Sequence, residues 1–324
     1  MKSAYRMVMV VAFAAAPLLA PLFVLFLAFP SSLPAQDQVK DPAAHEYVVR
    51  AITLAVTVQD TRGRFVNNLY EKDFTVYENN VKKPLTYFSH DFGAPLSLTV
   101  LLDVSGSMAL QNKLDECKVL LSNLARRILR ARDEIALLIF ADGQVQVAAK
   151  HSTDKSEFLR VLEKTEAWGQ TALNDAVAVS PEFATRASNE KRALLLITDG
   201  IENDSQATPQ QALEIARRVD VPIYIIGYKI PRTELQLKAH KRSGSLTAAG
   251  IVETLERFSR ATGGKTYFLD EASALEDILW EIKREQTHQY IIGYTSYRDT
   301  EDVYRGIRVT TPDYKHKVRT RLGY

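Results

Sequence analysis

The sequence predicts a doubly wound α/β fold with a mostly parallel sheet, plus a small β-sandwich-like domain built from both flanks. Three observations carry that expectation. Between residues 95 and 286, short apolar runs alternate with stretches of helical periodicity, which implies parallel strands joined by right-handed crossovers. The segments 46–93 and 287–324 instead show near period-two alternation broken by turn signals, without helical patterns. At 324 residues, 46% hydrophobic and 25% charged, the chain can hold about two domains with a sizeable core.

Residues 1–35 read as a targeting segment. Lys2 and Arg6 precede an uncharged run over 7–29, and a Pro/Ser-containing stretch follows. The run is long enough to span a bilayer, but Pro17 and Pro21 interrupt it, and Ala35 offers a small residue for cleavage. A cleaved signal peptide is favoured; the alternative is an inner-membrane anchor at residues 7–29 with the bulk of the chain outside. Either way the expected location is extracytoplasmic, periplasmic or secreted. Residues 37–45 are polar and read as a linker.

From residue 47 the pattern turns to strands. Val49, Ile52, Leu54, Val56 and Val58 lie near period two, and the turn signal Asp60-Thr-Arg-Gly63 follows. Further strands are expected within 69–80 and over 83–88. The central segment then gives buried strands over 96–102, 134–140, 193–198 and 221–228, an edge candidate over 145–149 and a last strand over 266–269. Helical patterns fall over 112–132, 155–164, 209–219, 246–261 and 273–285, with a short one after residue 173. Gly263 and Gly264 read as a helix stop rather than a phosphate loop. The tail is strand-like again over 289–297, 304–310 and 315–321, and is expected to pair with 46–93. The connection 229–245 is long enough to suggest a functional loop overhanging the sheet edge.

Composition narrows the function. A formal net charge of +2 and the lack of a basic stripe interleaved with aromatics argue against a nucleic-acid partner. The single cysteine, Cys117, falls on the apolar positions of the 112–132 helical pattern and reads as a small core residue. The six histidines are scattered with no metal-ligand spacing, and there is neither a nucleophile elbow nor a phosphate loop, so an enzyme is not expected.

The most informative stretch is Asp103-Val-Ser-Gly-Ser-Met108. It places one carboxylate and two hydroxyls at i, i+2 and i+4 immediately after a buried parallel strand, at the edge where open α/β sheets bind ligands. Hard oxygen donors there suit a hard divalent cation such as Mg²⁺. Gly169-Gln-Thr-Ala-Leu173 offers the hydroxyl of Thr171, and a second buried strand runs into Asp199 and Gly200.

Together these residues resemble a von Willebrand factor type A domain with a complete metal-ion-dependent adhesion site. The family's D-x-S-x-S falls on Asp103, Ser105 and Ser107, its loop threonine on Thr171, and its T-D-G aspartate on Asp199. The pattern over 47–92 and the Arg-Leu-Gly-Tyr tail also resemble the bacterial von Willebrand factor A-related proteins. The resemblance implies a Rossmann-like domain over 95–286 holding Mg²⁺ or Mn²⁺, with a protein partner's Asp or Glu completing the coordination. The alternatives are a structural or assembly component whose metal only stiffens the loops, and a metal-dependent hydrolase.

Overall fold

The central sheet follows from its sequence: strands buried on both faces need helices on both sides, and the chain supplies them. The computed structural model describes residues 48–231, 247–271, 274–298 and 303–324. The leader, the linker and most of the 229–245 loop therefore lie outside the described residues. The six strands run in the order β10-β9-β8-β5-β6-β7, that is Thr266–Leu269, Ile223–Tyr228, Lys191–Thr198, Leu96–Asp103, Glu134–Ala141 and Gln144–Ser152. All pairings are parallel except that of the edge hairpin strand β7 with β6. This is the doubly wound, mostly parallel sheet that the sequence predicts.

Alternation along the strands divides the core into two layers. On β5, Leu98, Val100 and Leu102 join Leu114, Cys117 and Leu121 of α1 (Lys113–Asn123), whereas Leu101 faces Leu173 and Val177 of α3 (Leu173–Ala184). On β8, Ala193, Leu195 and Ile197 take the first face, and Leu194 and Leu196 the second. Each Leu, Val or Ile buried this way stabilises the fold by about 1.5–3 kcal/mol relative to exposure. The remaining helices are α2 (Ser156–Lys164), α4 (Pro209–Ala216), α5 (Ala248–Thr262) and α6 (Leu275–Thr287). Gly263 ends α5 in the left-handed conformation at φ 84°, as a helix stop requires.

Several boundaries differ from expectation, and three of the differences have a local cause. The helix anticipated over 112–132 starts one residue later, because Gln111 and Asn112 are left-handed at φ 56° and 57°. Past Asn123 it widens into a π-turn over Leu124–Ile128, and Leu129 is already extended. Strand β9 begins at Ile223 rather than 221, because Pro222 has no N–H for the ladder. In the N-terminal flank, residues before Thr75 form a 3-10 turn at Glu71–Asp73, where the Asp73 carboxylate accepts the Tyr70 N–H at 2.8 Å.

The flanks form two antiparallel sheets. One has the order β13-β1-β11-β4 (Lys317–Arg319, Val48–Gln59, Tyr290–Arg298, Leu85–Ser89) and the other β12-β2-β3 (Ile307–Thr310, Thr75–Glu78, Val81–Lys83). Their shared core holds Ile52, Leu54, Val56, Val58, Phe74, Val76, Tyr290, Ile292, Tyr294, Ile307 and Val309. Strand β1 pairs with β11 from Val48↔Arg298 to Val56↔Tyr290, so both ends of the chain contribute to one sheet. Buried Glu78 links the two sheets, accepting hydrogen bonds from Ser296 at 2.6 Å and from the Tyr324 hydroxyl.

Candidate metal centre

The sheet order places the candidate site. The chain runs outward from β5 to β6 and then returns through β8 to β9 on the other side, so β5 and β8 flank the topological switch point. Ligands of open α/β sheets bind in the crevice beyond the carboxyl ends of such strands. Asp103 is the last residue of β5, and Asp199 immediately follows β8.

Both carboxylates are fully buried, and each oxygen has a partner. Asp103 Oδ1 accepts the Ser105 N–H at 2.9 Å and Oδ2 the Thr198 hydroxyl at 2.6 Å. Asp199 Oδ1 accepts the Ile201 N–H at 3.2 Å, while its Oδ2 lies 2.7 Å from the Lys113 ammonium. The Ser105 and Ser107 hydroxyls are 3.1 Å apart. Burial and then the neighbouring Asp199 charge push the Asp103 carboxyl above its ordinary range, against the hydrogen bonds from Ser105 and Thr198.

Thr171 joins through its backbone. Its N–H donates to Asn203 Oδ1 at 2.8 Å, and its carbonyl accepts the N–H groups of Asn203 and Asp204 at 3.1 and 3.0 Å. The same loop is tied to the Asp103 loop: Trp168 N–H donates to Val104 O at 2.7 Å, and Gly106 N–H to Gly169 O at 2.9 Å. Hydrogen bonds thus link Asp103, Ser105 and Ser107 directly, and bring the loops of Thr171 and Asp199 to the same edge. Gly200 is left-handed at φ 75°, and a Cβ there would run into Ile251, so the turn after Asp199 requires glycine. Of the five residues Ser107 keeps the most exposure, 8%, which makes the site a recess rather than a surface patch.

The side chains brought together here, the carboxylates of Asp103 and Asp199 and the hydroxyls of Ser105 and Ser107, offer only oxygen, with the backbone of Thr171 beside them. Among the described residues no group of three or more His, Cys, Asp or Glu side chains is placed to hold a metal. Oxygen donors of this kind are the chemistry a hard divalent ion accepts, and at this edge the Lys113 ammonium already lies 2.7 Å from Asp199.

Sequence reasoning missed Thr198, Asn203 and Lys113. Thr198 and Asn203 lie beside named residues and act through them. Lys113 opens α1, and a lysine at the start of a helix reads as a solvated end, yet it is 4% exposed. Among the described residues the histidines lie elsewhere: His90 and His288 pack among Phe65, Phe92 and Tyr290 in the flank, and His151 meets the Thr99 hydroxyl at 2.8 Å. Tyr290 and Tyr294 are core residues, while Tyr297 is exposed.

The chain is similar to several known proteins. An uncharacterized protein of Borreliella burgdorferi is 22% identical over 237 residues, covering 69% of this chain and 67% of its own length. The magnesium-chelatase 67 kDa subunit of Chlorobaculum parvum is 25% identical over 190 residues, covering 54% of this chain but only 28% of that subunit. Among solved structures, a von Willebrand factor type A protein from Catenulispora acidiphila superposes with a TM-score of 0.47 at 14% identity, covering 74% of this chain and 50% of that one. Residues 98–202 match the family model described as the von Willebrand factor type A domain, a span that holds Asp103, Ser105, Ser107, Thr171 and Asp199. Over residues 98–202, then, this chain carries a von Willebrand factor type A domain.

Proposed function

We propose that this chain is an exported, non-enzymatic protein-binding module of the adhesion type. It holds Mg²⁺ or Mn²⁺ at the β5/β8 edge and recognises an Asp or Glu side chain of a protein partner. The observation that supports the reading best is the meeting of Asp103, Ser105 and Ser107 with Asp199 at the switch point, in loops stitched to that of Thr171. Asp103, Ser105, Ser107, Thr171 and Asp199 would hold the ion, and when bound it supplies an electrophilic centre for a carboxylate oxygen. The protein's own residues keep the donors in place: the Ser105 and Ile201 N–H groups and the Thr198 hydroxyl fix both carboxylates, and burial excludes competing water. Export rests on the composition of residues 1–35; among the described residues no helix is long and apolar enough to cross a membrane.

One observation favours a second reading, a structural component in which the site only braces its loops: Lys113 already offsets the charge of Asp199. Calorimetric titration of Mg²⁺ and Mn²⁺ into wild type and Asp103→Ala tests the metal. Saturable one-site binding that the variant loses supports the site, and a folded wild type that binds neither ion removes it. Retention on immobilised Asp- and Glu-containing peptides, in Mg²⁺ against chelator, then tests recognition. Metal binding without chelator-sensitive retention selects the structural reading.

A further inference from the structure

We infer that Lys113 is a resident cation of this site, placed to compete with a divalent ion for Asp199 and so to hold metal affinity down. The inference rests on the proposed metal site and adds a residue that the five-residue motif does not contain. The Lys113 Nζ lies 2.7 Å from Asp199 Oδ2, with 5% of the lysine side chain and none of the aspartate exposed. An ammonium that deep is costly unless a charged partner compensates it, so the pairing accounts for its burial.

The placement works against local helix preference, which marks it as specific to Asp199. Lys113 is the first residue of α1, where the positive end of the helix dipole disfavours a cation. The turn that delivers it uses two consecutive left-handed residues, Gln111 and Asn112, the first of which pays a steric cost. The neighbouring acid on the same helix, Glu116, is bound by another cation, with Lys229 Nζ at 2.6 Å from its Oε2. Lys113 and Lys229 thus each neutralise a separate carboxylate beside the metal edge.

A divalent ion entering beside Asp103 and Asp199 meets a positive charge already bound to one of them. It must share Asp199 with the ammonium or displace it, and either costs binding free energy in a site that excludes water. Removing the positive charge should therefore tighten the metal, although the lysine is not itself a ligand.

The test is calorimetric titration of Mg²⁺ into the full chain as wild type, Lys113→Met, Lys113→Gln and Lys113→Arg, with circular dichroism to verify folding. The expected result is that Met and Gln tighten Mg²⁺ by about tenfold or more, while Arg, which keeps the charge, stays within about threefold of wild type. If wild type binds and the neutral variants bind no more tightly, the inference fails and the metal site stands. If no folded variant binds, the metal site fails and the inference with it. Should Lys113→Met not fold, Lys113→Gln, which retains a donor for Asp199, carries the comparison.

Discussion

Replacing Asp103 by Asn should separate the metal from the fold. In the native protein the Asp103 carboxylate accepts hydrogen bonds from the Ser105 N–H at 2.9 Å and the Thr198 hydroxyl at 2.6 Å. The Asn amide oxygen can still accept from Ser105, but its NH₂ faces Thr198 as a donor, so one charge-assisted bond worth roughly 1.5–3 kcal/mol is lost. Against that loss, the substitution removes a fully buried charge whose burial and proximity to Asp199 already push the carboxyl up, a relief of comparable size. The two effects oppose each other, and the metal-free variant should stay within about 1–2 kcal/mol of wild type. Metal linkage has no such compensation. At Mg²⁺ one hundred times its dissociation constant, wild type gains about 2.7 kcal/mol. For a chain of this size that moves Tm by about 4 °C. Melts followed by circular dichroism, with Mg²⁺ and with chelator, should show this shift in wild type and none in Asp103→Asn. A variant that keeps the shift, or that loses more than about 3 kcal/mol without metal, would refute the reasoning.

Four further outcomes follow from the structure. Asp133 is buried and accepts the N–H groups of Leu96 and Arg130 at 2.8 and 2.7 Å and the Lys283 ammonium at 2.6 Å. Asp133→Ala should therefore cost about 3–5 kcal/mol in urea unfolding, and a cost below about 1 kcal/mol would show the network to be dispensable. Burial lowers the Lys191 ammonium to about 8, with Lys283 and Arg130 adding to the effect. An unfolded lysine keeps its proton up to about 10.4, so the burial penalty is fully present below pH 8 and is relieved as pH rises. The stability of wild type relative to Lys191→Met should accordingly increase by about 2 kcal/mol between pH 8 and 10, and a flat difference would contradict the shift. A Cβ at residue 264 would overlap the Ile223 carbonyl oxygen, so Gly264→Ala should lose about 4 kcal/mol or fail to accumulate; an unchanged urea midpoint would count against this packing. Cys117 is fully buried and its thiol is pushed up to about 12 by burial and by Glu116 and Asp103, so it should resist thiol reagents until denaturant is added.

Much of this architecture is legible in the chain because the central strands are buried on both faces. Such strands appear as uninterrupted apolar runs, and β5, β6, β8 and β10 lie within two residues of where those runs place them. The alternation at Ile52, Leu54, Val56 and Val58 is equally visible, because only one face of β1 meets the flank core. Helix α3 is harder to read: Pro181 sits in its last turn, and a proline usually marks an end. The start of α1 is less legible, because Gln111 and Asn112 turn left-handed in tandem and nothing in Gln111 announces it. The five oxygen donors are local to their motifs and readable there. The Lys113–Asp199 pair joins residues 86 positions apart, and only the fold brings them together.

The pairing of β1 with β11 has a consequence in time. Val48 must wait for Arg298, about 250 residues later, before its strand can complete the ladder. At synthesis rates of about 5–20 residues per second, that wait is on the order of ten seconds or more. During it, Ile52, Leu54, Val56 and Val58 lack their partner strands and the Tyr290, Ile292 and Tyr294 side of their core, whereas β5, β6 and β8 can assemble among themselves. The nascent chain thus carries an open apolar edge longest at its earliest strand, and the central domain is the part able to fold first.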